Sequence, residues 1–365
     1  MSIHSSVVIG AGQAGLAASH HLSQRGIEHV VLDANPQPGG AWQHRWDSLT
    51  MQDVHGVADL PGEPAPPRSG KRANDAVPAY FGAYEARHDV PVLRPVRVDR
   101  VESEGELLVV HAGERQWRTR TLVNATGTWT RPFVPFYPDI DTFAGEQFHT
   151  ATYPGSEYLR GRHVLIVGGG ASAVQFIGEL APITPVTWVT RREPVWRHDD
   201  FTPEAGLAAV TMVEERVVQG LPPASVVTVT GLALREQEQG AAELGAYDAR
   251  RPMFERIEPR GVRWADGSFE AVDVILWATG FRAAVDHLAP LRLTSPHGGI
   301  ALERVDGNVQ GATTAVRDHR VQLVGYGPSA STIGASRAAR QAALAVERAL
   351  RETEADAAEL TPVGG

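Results

Sequence analysis

The chain contains no cysteine. That excludes disulfide staples, thiolate metal sites and any cysteine-based redox or nucleophilic chemistry. It also has no long unbroken apolar run. The longest, over residues 164–181, is interrupted by glycines and by Glu179, so it does not read as a membrane span. No basic block is present: the net charge is −9 and the acidic residues are scattered, which argues against a nucleic-acid or anionic-membrane surface. No spacing suits a metal, since His20 and His21 are neighbours on a predicted helix and point apart. The N-terminus enters an apolar strand almost at once, without a charged n-region or cleavage site, and a cytoplasmic location is the default expectation.

What is present is the profile of a soluble globular protein, with 42% hydrophobic and 21% charged residues. The 365 residues exceed what one ordinary domain needs, so two domains are expected.

Ser6-Val7-Val8-Ile9 is a short apolar strand that leads into Gly10-Ala11-Gly12-Gln13-Ala14-Gly15. A helical stretch follows, then the strand His29-Val30-Val31-Leu32 ending at Asp33. Glycines in this order let the backbone turn tightly and approach a pyrophosphate, which sits on the helix N-terminus. Asp33 stands where it would accept from a ribose hydroxyl. Pro38-Gly39-Gly40-Ala41-Trp42 reads, from composition alone, as a surface turn with a packed Trp. Residues 62–70 form an irregular Pro/Gly-rich loop and 73–88 a helix. The pattern over 90–124 is β, including Val96-Arg97-Val98, with turns at Gly105 and Gly113, and it ends Asn124-Ala125-Thr126-Gly127.

A second fingerprint follows: Val164-Leu165-Ile166-Val167-Gly168-Gly169-Gly170-Ala171-Ser172-Ala173. Ala173 replaces the third glycine, a small residue suited to close helix–strand packing. The next strand, Val186-Thr187-Trp188-Val189-Thr190, ends in Arg191-Arg192 instead of an acid. The unit closes on Ala278-Thr279-Gly280, and the span from Gly168 to Thr279 nearly equals that from Gly10 to Thr126. This is an internal duplication. The predicted fold is α/β, two doubly wound Rossmann-like dinucleotide-binding domains, the NADPH domain inserted into the FAD domain. The expected boundaries are 1–129 for the first part of the FAD domain, 130–281 for the NADPH domain with its linker, and 282–365 for the returning part. Pro222-Pro223 and the run 236–243 read as surface insertions, and Val321-Gln322-Leu323-Val324-Gly325 and a helix over 332–352 as the return to the first domain.

The residues after the second strands assign the two sites. An acid repels a 2′-phosphate, whereas two guanidinium groups suit one. FAD is therefore expected on the first fingerprint and NADPH on the second. Cofactor-binding positions are expected at Gly10, Gly12, Gln13, Ala14, Gly15, Asp33, Gly40, Trp42, Val98, Thr126 and Gly325 for FAD, and at Gly168, Gly170, Ser172, Ala173, Arg191, Arg192 and Thr279 for NADPH. With no cysteine pair, the electrons must go to O2, a quinone, a partner protein or a small organic acceptor.

Together these motifs resemble the class B flavin monooxygenases. Phe143-x-Gly145-x-x-x-His149-x-x-x-Tyr153 resembles the fingerprint of that group, and Tyr153 resembles its flavin-containing type rather than its Baeyer–Villiger type. Gly39-Gly40-Ala41-Trp42 resembles the group's Gly-Gly-x-Trp flavin segment, which overrides the reading as a surface turn. Gly325-Tyr326 and Thr332-Ile333-Gly334 resemble its returning flavin segment. The resemblance implies that NADPH reduces FAD, that reduced FAD reacts with O2 to a flavin C4a-(hydro)peroxide, and that one oxygen goes to a sulfide, an amine or a ketone. It implies O2 and a small organic substrate as partners, no metal, and leaves a homodimer open. It places Gln52 as the catalytic amide at the flavin edge, with His55 as a rival in the same loop. His149 is expected to set the angle between domains rather than to touch substrate. Two further readings stand beside this one. The first is an NADPH oxidase or reductase that inserts no oxygen. The second is a nucleotide-sensing flavoprotein without activity.

Overall fold

The computed structural model describes residues 2–54, 57–197, 203–223, 231–305, 311–330 and 332–359. Its centre is strand β1 (Ile3–Ile9), whose β-branched end is fully buried. β1 pairs in parallel with β2 (His29–Leu32) on one side and with β6 (Arg115–Asn124) on the other. β2 continues to β3 (Val92–Leu93). On β6 hangs an antiparallel meander of β4 (Arg100–Glu104) and β5 (Leu107–Ala112). Its turns fall at Gly105 and Gly113, both at positive φ, as the glycine spacing predicts.

The far end of the chain completes this sheet. β14 (Thr314–Ala315) pairs with β15 (Asp318–Leu323), and β15 lies parallel to β6 through Val321, Gln322 and Leu323. The C-terminal helix α7 (Thr332–Glu359) is longer than the sequence predicts. It buries Ala335, Ala338, Ala339, Ala342, Ala343 and Val346, a stripe at helical spacing. It packs on helix α1 (Gln13–Ser23), which presents Ala14, Ala17 and Ala18. Alanine on both helices lets their axes approach closely.

The second sheet has the order β7 (Glu146–His149), β13 (Val274–Trp277), β8 (Val164–Val167), β9 (Val186–Val189), all parallel. A three-stranded antiparallel sheet, β10 (Arg256–Glu258), β11 (Gly261–Arg263) and β12 (Phe269–Ala271), lies beside it. Trp264, Val262 and Phe254 share a core there with Leu165 and Trp277. Parallel strands buried on both faces read as the continuous apolar runs noted in the sequence.

The chain crosses between the sheets twice, and the crossings touch. Pro132 bridges Phe281 antiparallel, the Arg282 N–H donates to the Arg131 carbonyl at 2.8 Å, and the Phe133 N–H donates to Gly280 at 3.0 Å. Each Ala-Thr-Gly repeat grips the crossing that passes it. The Thr126 hydroxyl donates to the Ala284 carbonyl at 2.6 Å, and the Thr279 hydroxyl donates to the Phe133 carbonyl.

The stretch 236–243 corrects the sequence reading. It is not a surface insertion but a 3-10 turn (Glu236–Glu238) and helix α6 (Gln239–Glu243) packed on helix α4 (Ala171–Leu180). Glu238 is buried, its carboxylate accepting from the Arg235 N–H at 2.6 Å, and Ala241 is buried beside it. Helix α5 (Pro203–Val218) leaves the second unit altogether. Its Val217 packs with Ile300, Leu302 and Tyr326 in the core of the first sheet.

Candidate active site

Four segments remote in sequence meet at the C-terminal end of β1. A Cβ on Gly10 would stand 2.6 Å from the Ala125 carbonyl oxygen, and one on Gly15 only 1.8 Å from the Gly10 carbonyl oxygen. These glycines are demanded by close backbone packing. Gly12 differs: among the described residues, a Cβ on it would have only the Cα of Gly40 within 4 Å, at 3.9 Å. Gly40 itself has φ +53°, and a Cβ on it would come within 2.9 Å of the Gly12 Cα. Gly325 closes the ring against Ala14 and Gly127. The result is a cradle walled by bare backbone and left open in front of Gly12, which fits a pyrophosphate. The turn expected from composition to be mere surface is one of its walls.

Gln13 is buried, and its amide donates to the carbonyls of Ala58 and Asp59 at 3.1 and 3.2 Å, fixing the loop that covers the helix start. Asp33 lies buried at the end of β2 as predicted. Its carboxylate is already engaged, accepting from Arg94 Nε at 3.0 Å and from the Asn35 amide at 3.2 Å. Arg94 in turn is held by both oxygens of Glu85. Asp33 is thus a fixed, charge-compensated acceptor. Val98 packs half-buried on the first-sheet core. Gln52 is exposed, and His55 lies outside the described residues.

The second cradle repeats the first. Gly168 has φ +147°, and a Cβ there would stand 2.2 Å from the Ala278 carbonyl oxygen, the counterpart of Ala125. Among the described residues, nothing lies within 4 Å of a Cβ position on Gly170, matching the open face at Gly12. Ala173 is buried and Ser172 half-buried at the start of α4. The Trp188 indole N–H donates to the Gly168 carbonyl at 2.7 Å and anchors the loop. Arg191 and Arg192 emerge exposed from the end of β9, with the Thr190 hydroxyl donating to the Arg192 carbonyl at 2.6 Å. Arg250, which sequence reasoning missed, joins them: it pairs with Glu193 and approaches the Thr190 hydroxyl at 3.4 Å. The Arg250-Arg251 doublet was the available signal, but only the bridge of Val189 to Arg251 brings it here.

The fingerprint 143–153 runs along the seam. Phe143 is buried with its ring folded over Gly145, where a Cβ would meet it at 2.6 Å. His149 ends β7 and reaches Gly280 on the second crossing at 3.0 Å. Burial lowers its pKa, so the ring is neutral at pH 7. Tyr153 wedges between the units, its ring against Trp46 of the first and Phe176 of α4. Burial raises the pKa of its phenol. Beside it a seam cavity of about 160 Å³ is lined by Trp46, Ser48, Leu49, Asp53, Gln175, Glu179 and Gln237. Ser48 donates to Glu179 at 2.8 Å and Gln175 to the Asp53 carbonyl at 3.1 Å, so both units build this space. Among the described residues, no cluster of His, Asp or Glu could hold a metal, and no helix is long and apolar enough to cross a membrane.

Two cradles of this kind in one chain define a two-dinucleotide oxidoreductase. The family model for pyridine nucleotide-disulphide oxidoreductases matches residues 7–228, and the chain belongs to that family. Within it the chain is a class B flavin monooxygenase. A flavin-containing monooxygenase from Stenotrophomonas maltophilia is 37% identical, with a TM-score of 0.81, over 95% of this chain and 99% of that one. Indole-3-pyruvate monooxygenase YUCCA1 of Oryza sativa subsp. japonica is 28% identical over 76% of this chain and 77% of its own. A cyclohexanone monooxygenase from Rhodococcus sp. Phi1, solved with NADP+, shares the fold at 18% identity, covering 95% of this chain and 84% of that one, with a TM-score of 0.60. FAD and NADPH, the cofactors expected from the two fingerprints, are those of this class. The disulphide chemistry in the family's description has no counterpart in a chain without cysteine.

Proposed function

We propose that this chain is an NADPH-dependent monooxygenase that delivers one oxygen atom of O2 to a small soft nucleophile, a sulfide or amine, or into a ketone. The observation that carries the reading is the pairing of two open cradles, at Gly12 and Gly170, in a chain with no thiol to relay electrons. Gly10, Gly12, Gly15, Gly40 and Gly325 would hold FAD, with Gln13, Ala14, Trp42, Val98 and Thr126 around it and Asp33 at the ribose. Gly168, Gly170, Ser172 and Ala173 would hold NADPH, with Arg191 and Arg192 toward its 2′-phosphate and Thr279 behind. Bound there, NADPH supplies a hydride and FAD supplies its acceptor and the place where O2 is activated.

The protein's share is position and exclusion of water. His149 ties the fingerprint strand to the second crossing, which fixes one unit against the other. Tyr153, Trp46 and Phe176 fill the seam with apolar rings and keep solvent from it. No described side chain is set as an acid or base toward substrate. Gln52 would offer its amide to the reacting groups.

One observation favours a second reading, an NADPH oxidase: Gln52 stands exposed rather than enclosed. Product and H2O2 formed per NADPH, measured across sulfides, amines and ketones, separate the two. Oxygenated product matching NADPH use supports the monooxygenase. H2O2 accounting for all NADPH with every compound overturns it.

A further inference from the structure

Arg45 ends the 3-10 turn Gly40–His44 that carries the Gly-Gly-x-Trp segment. Its guanidinium carbon lies 5.4 Å from the Trp42 ring centroid and 4.5 Å from that of Trp129. Each of these tryptophans stands two residues beyond a glycine of the first cradle, Gly40 in one case and Gly127 in the other. The two indoles hold the cation between the chain segments that leave Gly40 and Gly127. Trp129 is itself stacked by His44 at 6.3 Å and by Phe281 at 5.0 Å, and the two rings set its plane.

Arg45 has no carboxylate partner among the described residues, and its buried Nε has no acceptor. The nearest acid in sequence, Asp47, is exposed and engaged by Arg72 at 3.3 Å and Asn74 at 2.8 Å. Burial pulls the Arg45 pKa down to about 10, the mark of a desolvated charge without an ion-pair partner. Arg45 is half-buried with its Nε fully enclosed; an enclosed, unpaired charged donor is costly, and a planar guanidinium fork suits an oxyanion.

We propose that Arg45 is an anion-binding residue of the first cradle, held by Trp42 and Trp129 to meet the pyrophosphate of the dinucleotide bound there. This rests on the reading of that cradle as the FAD site. The other oxyanion that could reach Arg45 is a carboxylate on the organic substrate, and the experiment separates the two.

The test uses the full chain with Arg45→Met and Arg45→Lys, stripped of flavin and titrated with FAD or with riboflavin, which has no phosphate. Arg45→Met is expected to weaken FAD binding by on the order of tenfold or more. Riboflavin binding should be unchanged, and Arg45→Lys should fall between wild type and Arg45→Met for FAD. Stripped of flavin, Arg45→Met should melt at or above the wild-type temperature, because a desolvated charge without an ion-pair partner has been removed. Equal losses for FAD and riboflavin, or a stripped variant melting well below wild type, would make Arg45 a structural residue and overturn the proposal. Unchanged FAD affinity, with KM raised only for carboxylate-bearing substrates, would assign it to substrate instead. A wild-type chain that binds neither flavin would sink the reading of the cradle itself, whatever the variants do.

Discussion

The Nε2–H of His149 donates to the carbonyl oxygen of Gly280, and Nδ1 of the same ring accepts from the Ala151 N–H at 3.1 Å. Both ring nitrogens are therefore spent on backbone, in the neutral tautomer that each bond requires. Phe281 meets the ring edge-on at 4.9 Å. His149→Ala would release the second crossing while leaving both glycine cradles intact. Flavin content and the rate of flavin reduction by NADPH should stay near wild type, while H2O2 formed per NADPH rises. Stability should fall by about 1–3 kcal/mol, because the Ala151 N–H loses its acceptor and the Gly280 carbonyl keeps only the Phe133 N–H. Anaerobic stopped-flow and peroxide assays check this, and a collapse of the reduction step would show that His149 acts on hydride transfer.

Gly12 and Gly15 should respond in opposite ways to the same methyl group. Gly12 has φ −82°, which alanine adopts without strain, and free space in front of it. Gly12→Ala should fold with a near-normal melting temperature yet purify with little flavin. Gly15→Ala would force a methyl onto the Gly10 carbonyl and should fail to fold. Visible absorbance per chain, beside circular dichroism, decides; full flavin in Gly12→Ala would contradict the placement of the pyrophosphate.

Arg191 and Arg192 are exposed at the end of β9, with Arg250 beside them. The double variant Arg191→Ala/Arg192→Ala should raise KM for NADPH by tenfold or more, at about 1.5–3 kcal/mol for each well-made charged bond. KM for NADH should hardly move. Adding salt should narrow the difference between the cofactors in the wild type, since exposed charges are screened. Equal effects on both cofactors would place the 2′-phosphate elsewhere.

The fourth test concerns acid stability. His287 Nε2 donates to Asn124 Oδ1 at 2.6 Å, at the end of β6, and burial lowers its pKa to about 4. Between about pH 6.5 and 4 the unfolded chain takes up this proton and the folded chain does not. Stability is thus full above pH 6.5 and is lost as pH falls toward 4, by roughly 3 kcal/mol. His29 and His149 are shifted the same way by burial, so the informative quantity is the difference from His287→Gln. Denaturant melts should show wild type losing more stability than the variant between pH 7.5 and 5. Parallel losses would show that His287 titrates normally.

Much of this molecule is readable in one dimension because its central parts are local. A strand, a glycine loop and a helix start are contiguous, so Gly10 to Gly15 and Gly168 to Ala173 announce themselves. The repeat of Ala-Thr-Gly was visible for the same reason. What composition hid depends on distant partners. Gly40 looked like part of a surface turn because its reason for being glycine is Gly12. The run 236–243 looked solvated because its charges are obvious and the bond from Arg235 to Glu238 is not. Arg45 and Arg250 carry no local motif; two tryptophans from separate segments reveal one, and a bridge to β9 reveals the other. The resemblance of the Gly-Gly-x-Trp segment to a known family supplied what the residues alone did not.

The register of β15 on β6 also sets an order of events during synthesis. The Leu122, Val123 and Asn124 edge of β6 is paired by Val321, Gln322 and Leu323, which leave the ribosome only after the whole second sheet. Until then the first sheet carries an unpaired parallel edge, the kind of surface that invites association with other chains. The second sheet has all four of its strands between Glu146 and Trp277 and waits for no later strand. The inserted unit should therefore mature first, and nascent chains cut before Val321 should aggregate, whereas those cut just beyond α7 should not.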